Sequence, residues 1–226
     1  MLTPDQSIRS LADFYCKNIG LPAPERGHYV SVSPQLAACI AREYDTLPVH
    51  DARPLVDLAY RRLAGEVYQQ FAFIERHGYR LNPWTEPGQP YADSAAMRAD
   101  LRDNYRLSFF LGGEDHPYLA RLTYWHERSG TDLTGNDMLR AVHDVFGHAA
   151  EGYGFGARGE ENAWIHHSMM FSPLAQLALT TETRGQNSWV NFGPHAALPV
   201  TDRPYAVQKS ALMPRWVTNW RAALGG

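Results

Sequence analysis

Hydrophobic residues recur at helical spacing along most of the chain. The most regular pattern runs from Pro54 to His77, where apolar positions fall three or four residues apart and Gly78 follows the last of them. Residues 160–182 show a second long pattern, which Ser172-Pro173 is expected to break or kink. Further helices are predicted in five places, one ending at Gly20 and the others over about residues 34–44, 95–106, 117–127 and 205–224.

Strand signals are few by comparison. Short extended segments are predicted at Tyr79–Leu81 and at Leu107–Phe110, and the proline-rich residues 82–93 favour a loop. At 226 residues the chain is long enough to bury a substantial core as one domain. We therefore expect a single domain, residues 1–226, that is mainly α with a few short strands.

Composition narrows the possible partners. The net charge of −3 and the absence of a Lys/Arg cluster argue against a nucleic-acid surface. No run of apolar residues is long enough for a membrane span, and the first residues lack the hydrophobic centre of a signal peptide. Cys16 and Cys39 lack metal-site or redox-motif spacing and are expected to be reduced thiols. These features predict a cytoplasmic protein that binds neither nucleic acid nor membrane.

One short segment carries the strongest chemical signal. In His143-Asp144-Val145-Phe146-Gly147-His148, two imidazoles flank a carboxylate and a glycine within an apolar stretch. Neutral imidazole is the commonest protein ligand for divalent metals. In a regular α-helix, residues five positions apart point roughly 140° away from each other. Both rings can reach one metal only if the helix ends, bends or carries a π-type bulge, so we predict an irregularity between Asp144 and His148.

A metal site needs at least one more ligand. Glu182 is favoured because it ends an apolar run in which an unpaired carboxylate would be costly. Two histidines and one carboxylate are the ligand set of non-haem Fe(II) oxygenases. From the residues alone, a structural salt bridge from Glu182 to Arg184 or Arg158 explains the carboxylate equally well. The other downstream candidates are Glu151, Glu160, Glu161, His166 and His167.

The motif resembles the H-[DE]-x-x-G-H segment of the aromatic amino acid hydroxylases. Two shorter matches precede it in the order found in that family, Gly78-Tyr79-Arg80-Leu81 and Phe110-Leu111-Gly112-Gly113. The resemblance implies a hydroxylase-like catalytic domain with Fe(II) on His143, His148 and Glu182. It also implies a substrate carboxylate held by Arg128, fifteen residues before the first histidine. Arg184 is a second candidate for that clamp.

The resemblance further implies a tetrahydropterin stacked on Phe110 as the source of electrons. The interval before Phe110 does not preserve a recognisable pterin loop, so direct reduction by the substrate or another donor is favoured over the pterin. Asp144 is expected to orient a bound water or co-substrate beside the metal without ligating it. The block from the motif to TETRGQNSWVNFGP is also similar to a group of uncharacterised phage and bacterial proteins.

We therefore predict an oxygenase that uses O₂ to hydroxylate or oxidise a small aromatic or amino-acid-like substrate. Three alternatives remain from the residues. The dipeptide His143-Asp144 also occurs in HD-type metal-dependent phosphohydrolases, in which His116 or His126 and Asp202 would complete the site. A di-metal carboxylate oxidase would add further ligands, and a non-catalytic protein would use the same residues as a polar core. Those further di-metal ligands would be Glu151, Glu161 and His167.

Overall fold

The computed structural model describes residues 6–111 and 115–224, and it is mainly helical with two small sheets. Gly112 and Gly113 of the second hydroxylase-like match lie outside the described residues. None of the described helices has both the length and the apolar character that a membrane crossing requires. The predicted class, mainly α with few strands, is confirmed.

The first four helices follow the hydrophobic pattern closely. Their bounds are α1 Gln6–Asn18, α2 Pro34–Thr46, α3 Pro54–Arg76 and α4 Ser94–Asn104. Side chains cap two of them: Ser33 accepts the amide N–H of Leu36, and Asp93 accepts that of Ala96. Helix α3 is the centre of the core and packs against α5 and α7, described below.

The first sheet places one wall of the site. Strand β1, Arg80–Trp84, pairs in parallel with β2, Arg106–Phe110, and α4 forms the crossover between them. Along β2 the side chains alternate, so that Leu107 and Phe109 are fully buried in the core. Phe110 is only half-buried, and it reaches the cavity described below.

The predicted helix over residues 117–127 is wrong. A short 3₁₀ turn, Leu119–Arg121, is followed by the strand β3, Thr123–His126, which pairs antiparallel with β4, Thr131–Thr134. Burial alternates along β3, where Tyr124 and His126 are more buried than Thr123 and Trp125, as in a strand with one face on the core. Gly130, with φ +65°, lies in the turn between them.

The second half of the chain contains two π-helical segments. Helix α5, Gly135–Val142, continues into the first of these, His143–Ala149, and α7, Pro173–Thr180, continues into the second, Thr181–Gly185. Helix α6, Ala157–Ser168, lies between them, and α8, Gln186–Phe192, follows the second. The break predicted at Ser172-Pro173 is confirmed, because Ser172 caps α7 and Pro173 is its first residue.

The predicted C-terminal helix over residues 205–224 is wrong for its first half. Residues 203–209 are extended, and Ser210 forms an isolated parallel bridge with His50. Two short helices follow, α9 Arg215–Thr218 and α10 Trp220–Leu224. The backbone of this segment instead accepts a hydrogen bond from a core tyrosine: the Tyr44 hydroxyl donates to the carbonyl of Val207.

Candidate metal centre

Two histidines and one glutamate converge at the junction of α5 and α6. His143 Nε2 lies 3.7 Å from Glu160 Oε2, and His148 Nε2 lies 3.4 Å from Glu160 Oε1. One ligand atom from each residue lies within 4.8 Å of the other two. Within residues 6–111 and 115–224 this is the one group of three or more potential metal ligands with such spacing.

The π-helical segment aligns the two histidines. A capping box fixes where α5 begins: Thr134 Oγ1 accepts the N–H of Asp137, and Asp137 accepts the N–H of Thr134. At His143 the hydrogen bonding changes to the wider i→i+5 pattern, which brings residues five positions apart onto one face. The ring centroids of His143 and His148 are consequently 5.0 Å apart. The irregularity predicted from the spacing is confirmed.

The glycine of the motif is needed for space. A Cβ atom placed on Gly147 would lie 2.9 Å from His143 Nδ1 and 3.0 Å from His143 Cε1. It would also lie 3.4 Å from the Cβ of Ala163 on α6. The His143 ring therefore lies directly over the Gly147 backbone, and any side chain there would displace it.

The glycine-rich loop after His148 carries Glu160 back to the motif. A Cβ on Gly159 would lie 1.8 Å from the carbonyl oxygen of Gly154, so the loop closes on itself more tightly than other residues allow. This closure places the first turn of α6 beside the π-helical segment. Phe155, in the same loop, contacts the His148 ring edge-on at 5.1 Å between centroids. The loop thus supplies both the third ligand and an aromatic wall.

The three groups perturb one another's protonation. Burial alone would raise the pKa of Glu160, but the neighbouring His148 and His143 outweigh it and lower the pKa to about 2. Burial lowers the pKa of His143, and Glu160 only partly offsets this effect. For His148 burial also lowers the pKa, but Glu160 outweighs it and the net shift is upward. Glu160 is therefore an ionised carboxylate at neutral pH, as a metal ligand must be.

The donor set fits a divalent transition metal. His143 Nε2 is buried and has no hydrogen-bond partner among the residues that the structure describes, although it faces Glu160. Buried polar atoms are nearly always hydrogen-bonded, so an unpaired imidazole nitrogen needs an explanation. A metal ion between the three groups would bind this nitrogen. Two imidazoles and a carboxylate suit Fe, Zn or Cu better than Mg or Ca.

Glu182, the predicted third ligand, is not brought into this cluster. Its Oε1 accepts hydrogen bonds from the Tyr60 hydroxyl at 2.5 Å and from His116 Nε2 at 3.0 Å. Its Oε2 accepts one from Gln186 Nε2 at 2.8 Å. Three hydrogen-bond donors compensate the buried carboxylate of Glu182, so its burial does not require a metal ion. Glu160 takes the place in the cluster that the sequence assigned to Glu182.

Neither arginine predicted to clamp a substrate carboxylate is available at the site. Arg184 is buried and makes a two-pronged salt bridge to Glu161, with contacts of 2.6 and 3.0 Å, and its guanidinium lies over the Trp164 ring. Arg128 lies in the β3–β4 turn, with Glu75 as its ion-pair partner at 3.8 Å, and does not line the cavity beside His143. Both assignments are wrong in position, and the pairing of Glu182 with Arg184 is wrong as well.

A cavity of about 440 Å³ opens beside the cluster, with His143, Glu160 and Glu182 on its wall. Phe110 lines it, as the stacking hypothesis requires. Arg140, one turn before His143, also lines it, and sequence reasoning missed this arginine. Its guanidinium donates to the carbonyl of Phe110 and lies 5.6 Å from the centre of that ring. Carboxamides form much of the remaining wall, namely Gln89, Asn136, Gln186, Asn187, Asn191 and Gln208.

Asp144 is not part of the group of three potential ligands. It is half-buried, and burial raises the pKa of its carboxyl to about 6, although His148 acts in the opposite direction. In the chain it directly follows His143, one of the two ligand histidines.

The residues that the alternative hypotheses require are engaged elsewhere. Among the di-metal candidates, Glu151 pairs with Arg9 and Arg26, Glu161 pairs with Arg184, and His167 hydrogen-bonds to His143. Among the phosphohydrolase candidates, the side chains lie in separate places. His116 contacts Glu182, His126 contacts Glu75, and Asp202 is exposed in a 3₁₀ turn.

Comparison with known proteins adds no assignment. No protein-family model matches the chain, and searches of curated proteins and of solved structures found no match. The resemblance to the aromatic amino acid hydroxylases therefore stays a prediction. The geometry of the site is the basis for assigning a function.

Proposed function

We propose that this protein is a mononuclear non-haem Fe(II) oxygenase that binds iron through His143, His148 and Glu160. It uses O₂ to hydroxylate or oxidise a small substrate bound in the adjoining cavity. The observation that carries the proposal is the convergence of two imidazoles and an ionised carboxylate around the unpaired, buried His143 Nε2. Three ligands on one side of a metal leave positions open on the other, which is the arrangement used by this class of enzyme.

The unpaired nitrogen argues against a purely structural role. A polar core without a metal is expected to satisfy its buried groups, as Glu182 is satisfied by Tyr60, His116 and Gln186. The pair of contacts at 3.4 and 3.7 Å to Glu160 is longer than charge-assisted hydrogen bonds, which are typically about 2.7–2.9 Å. Such spacing suits a metal ion between the groups better than a direct bond.

The cavity supports a substrate with an anionic group. Arg140 is the arginine on its wall, and its ion-pair partner Asp137 lies 3.7 Å away. This separation is longer than a hydrogen bond, so Asp137 competes weakly for the guanidinium. We therefore assign to Arg140 the role of carboxylate clamp that the sequence assigned to Arg128 or Arg184. A guanidinium offers several N–H donors, so it can bind a carboxylate while it still donates to Phe110.

The cavity wall also suits an aromatic substrate. Phe110 and Phe155 provide ring surfaces, and carboxamide side chains can donate to or accept from polar substituents. When bound, a ferrous ion supplies open coordination positions for O₂ and the one-electron chemistry that organic side chains lack. The protein then positions the substrate, and Asp144, beside the ligand histidines, orients a water or co-substrate.

The source of the additional electrons has two candidates. A tetrahydropterin would stack on Phe110, which lies on the cavity wall. Arg140 already lies near one side of that ring, at 5.6 Å from its centre, and a pterin would have to share or displace this contact. Direct reduction by the substrate or by another donor does not require Phe110 to be accessible.

The experiment is anaerobic purification, metal analysis and single-turnover oxygen consumption. We expect about one Fe(II) per chain, as a single three-ligand site implies. Oxygen consumption should then depend on an aromatic carboxylic acid or amino acid and fall sharply in Arg140→Gln but not in Arg128→Gln. Each assay is run with and without tetrahydropterin, and loss of pterin dependence in Phe110→Ala with iron retained would identify the pterin site. Two irons per chain, or Mn²⁺-dependent phosphatase activity without oxygen consumption, would overturn the proposal.

A further inference from the structure

A chain of buried side chains leads away from His143 on the side opposite to the ligand cluster. His143 Nδ1 lies 3.0 Å from His167 Nδ1 on α6, and His167 Nε2 lies 2.7 Å from Gln70 Oε1 on α3. The amide nitrogen of Gln70 in turn donates to the carbonyl oxygen of Met170 at 3.4 Å. Gln70 and His167 are fully buried.

These contacts determine which nitrogen of each imidazole carries a proton. The Met170 carbonyl can only accept, so the NH₂ group of Gln70 faces it and the amide oxygen faces His167. His167 Nε2 must therefore carry its proton, which leaves His167 Nδ1 as an acceptor. His143 Nδ1 then donates to that acceptor, and His143 Nε2 keeps a free lone pair facing Glu160.

The reverse arrangement would block metal binding. If the Gln70 amide were flipped, each imidazole would hold the opposite tautomer, and His143 Nε2 would carry a proton. The flip would place the Gln70 oxygen against the Met170 carbonyl, two acceptors with no proton between them in a fully buried position. The backbone carbonyl of Met170 thus determines, through Gln70 and His167, which nitrogen of His143 is able to bind a metal.

The His143 ring cannot escape this hydrogen bond easily. Gly147 lies under the ring at the distance where even a methyl group would collide with Nδ1, and Ala163 of α6 lies beside it. His167 packs against His143 with 5.2 Å between ring centroids. The small residues and the second imidazole therefore hold the ring in one orientation as well as in one tautomer.

We propose that His167 and Gln70 are positioning residues that select the Nδ1–H tautomer of His143 and so prepare its Nε2 for the metal. The inference deepens the proposed function, because the tautomer matters only if His143 is a ligand. Partners of this kind on ligand histidines typically change metal affinity by about 10–100-fold when removed. Neither residue belongs to the ligand group or lines the cavity.

The direct test is the tautomeric state of the metal-free protein. Long-range proton–nitrogen correlation NMR distinguishes Nδ1–H from Nε2–H imidazole. We expect His143 as Nδ1–H and His167 as Nε2–H in the wild type. The Gln70→Leu variant removes the acceptor and should give mixed tautomers at both rings. Finding His143 as Nε2–H in the wild type would overturn the inference. This measurement uses the wild-type protein and does not depend on the folding of any variant.

The second measurement is a Co(II) titration followed by optical absorption. Gln70→Leu should weaken Co(II) binding about 10–100-fold. Gln176→Leu is the matched control: Gln176 also donates to backbone carbonyls near α6, those of Ser168 and Phe171, but has no link to His143. Equal affinity in Gln70→Leu and wild type, or equal loss in the control, would contradict the positioning role.

The two measurements separate this inference from the proposed function. A wild-type protein that binds no Co(II) contradicts the metal site, and the NMR result still decides whether Gln70 sets the tautomers. A protein that binds Co(II) with unchanged affinity in Gln70→Leu keeps the metal site and loses the positioning role.

Discussion

Glu160 and Glu182 line the same cavity, and the difference between their surroundings identifies the ligand. Glu182 receives three hydrogen bonds from donors on other elements, so its charge is compensated by the fold itself. Glu160 faces two imidazole nitrogens at 3.4 and 3.7 Å, one of them without any hydrogen bond in the described part of the chain. A carboxylate whose oxygens already accept several hydrogen bonds has a structural role. A carboxylate that faces an unpaired acceptor nitrogen needs a cation between the two groups.

The two histidines beside these carboxylates differ in the same way. His116 Nδ1 accepts the backbone N–H groups of Tyr118 and Leu119, so its Nε2 carries a proton and donates to Glu182. His143 donates from Nδ1 to His167, so its Nε2 has a lone pair to give to a metal. The protonated nitrogen meets a carboxylate directly in one cluster, and the bare nitrogen requires an ion between it and the carboxylate in the other.

The largest expected effect is on metal content. Glu160→Gln removes the charged ligand and should reduce bound iron from about one per chain to background, as measured by elemental analysis after anaerobic purification. Glu182→Gln is the matched substitution on the same cavity. It keeps an acceptor for Tyr60 and His116 and should retain iron close to the wild-type level. Iron lost in Glu182→Gln and kept in Glu160→Gln would reverse the assignment.

A smaller loss of affinity is expected when the space under His143 is filled. Gly147→Ala places a methyl group 2.9 Å from His143 Nδ1, so the ring must move away from His167 and from the ligand position. We expect Co(II) affinity to fall by about 10-fold or more, in line with the loss of a partner to a ligand histidine. Gly65→Ala in α3, where nothing lies within 4 Å of the added methyl, is the control. It should leave affinity unchanged and stabilise the fold by about 0.5–1 kcal/mol.

The Glu182 cluster is expected to affect stability instead. Tyr60→Phe removes a fully buried donor to Glu182, and hydrogen bonds to charged groups are worth about 1.5–3 kcal/mol. The free energy of unfolding, from urea denaturation, should fall by about that amount while iron content stays near wild type. Tyr118→Phe removes a donor to the more exposed Asp57 and should cost less than about 1 kcal/mol. Equal losses in both variants would argue against a special role for the Glu182 cluster.

The smallest expected effect is at Asp144. Asp144→Asn keeps the shape of a side chain that lies next to a ligand but outside the ligand group. Iron stoichiometry should not change, while oxygen-consuming turnover should fall because the carboxylate no longer orients a water or co-substrate. Loss of iron in this variant would place Asp144 among the ligands and favour the phosphohydrolase alternative.

Local patterns were sufficient to predict the shape of the motif. The spacing of His143 and His148 is incompatible with a shared ligand on a regular α-helix, and the structure has a π-helical segment there. The long helix α3 was equally visible, because its apolar residues keep one period over the whole element. In both cases the information lies within a few turns of one chain segment.

The third ligand and the clamp could not be predicted in the same way, because they depend on contacts between distant segments. Glu182 was favoured because it ends an apolar run, and only the fold shows that Tyr60 and His116 already reach its carboxylate. Arg128 was predicted from its offset to the first histidine, with Arg184 as a second candidate. In the fold the β3–β4 hairpin carries Arg128 away from the site, and Glu161 binds Arg184. The available sequence signal for Glu160 was the glycine-rich loop that precedes it. In the fold this loop closes tightly at Gly159 and returns the next helix to the motif.

The most direct test of the central claim is a crystal structure of the anaerobically prepared Fe(II) protein, with anomalous diffraction recorded at the iron edge. We expect one anomalous peak within about 2.0–2.3 Å of His143 Nε2, His148 Nε2 and a carboxylate oxygen of Glu160, with Glu182 still hydrogen-bonded to Tyr60 and His116. A peak bound to Glu182 in place of Glu160, or located away from the two histidines, would contradict it.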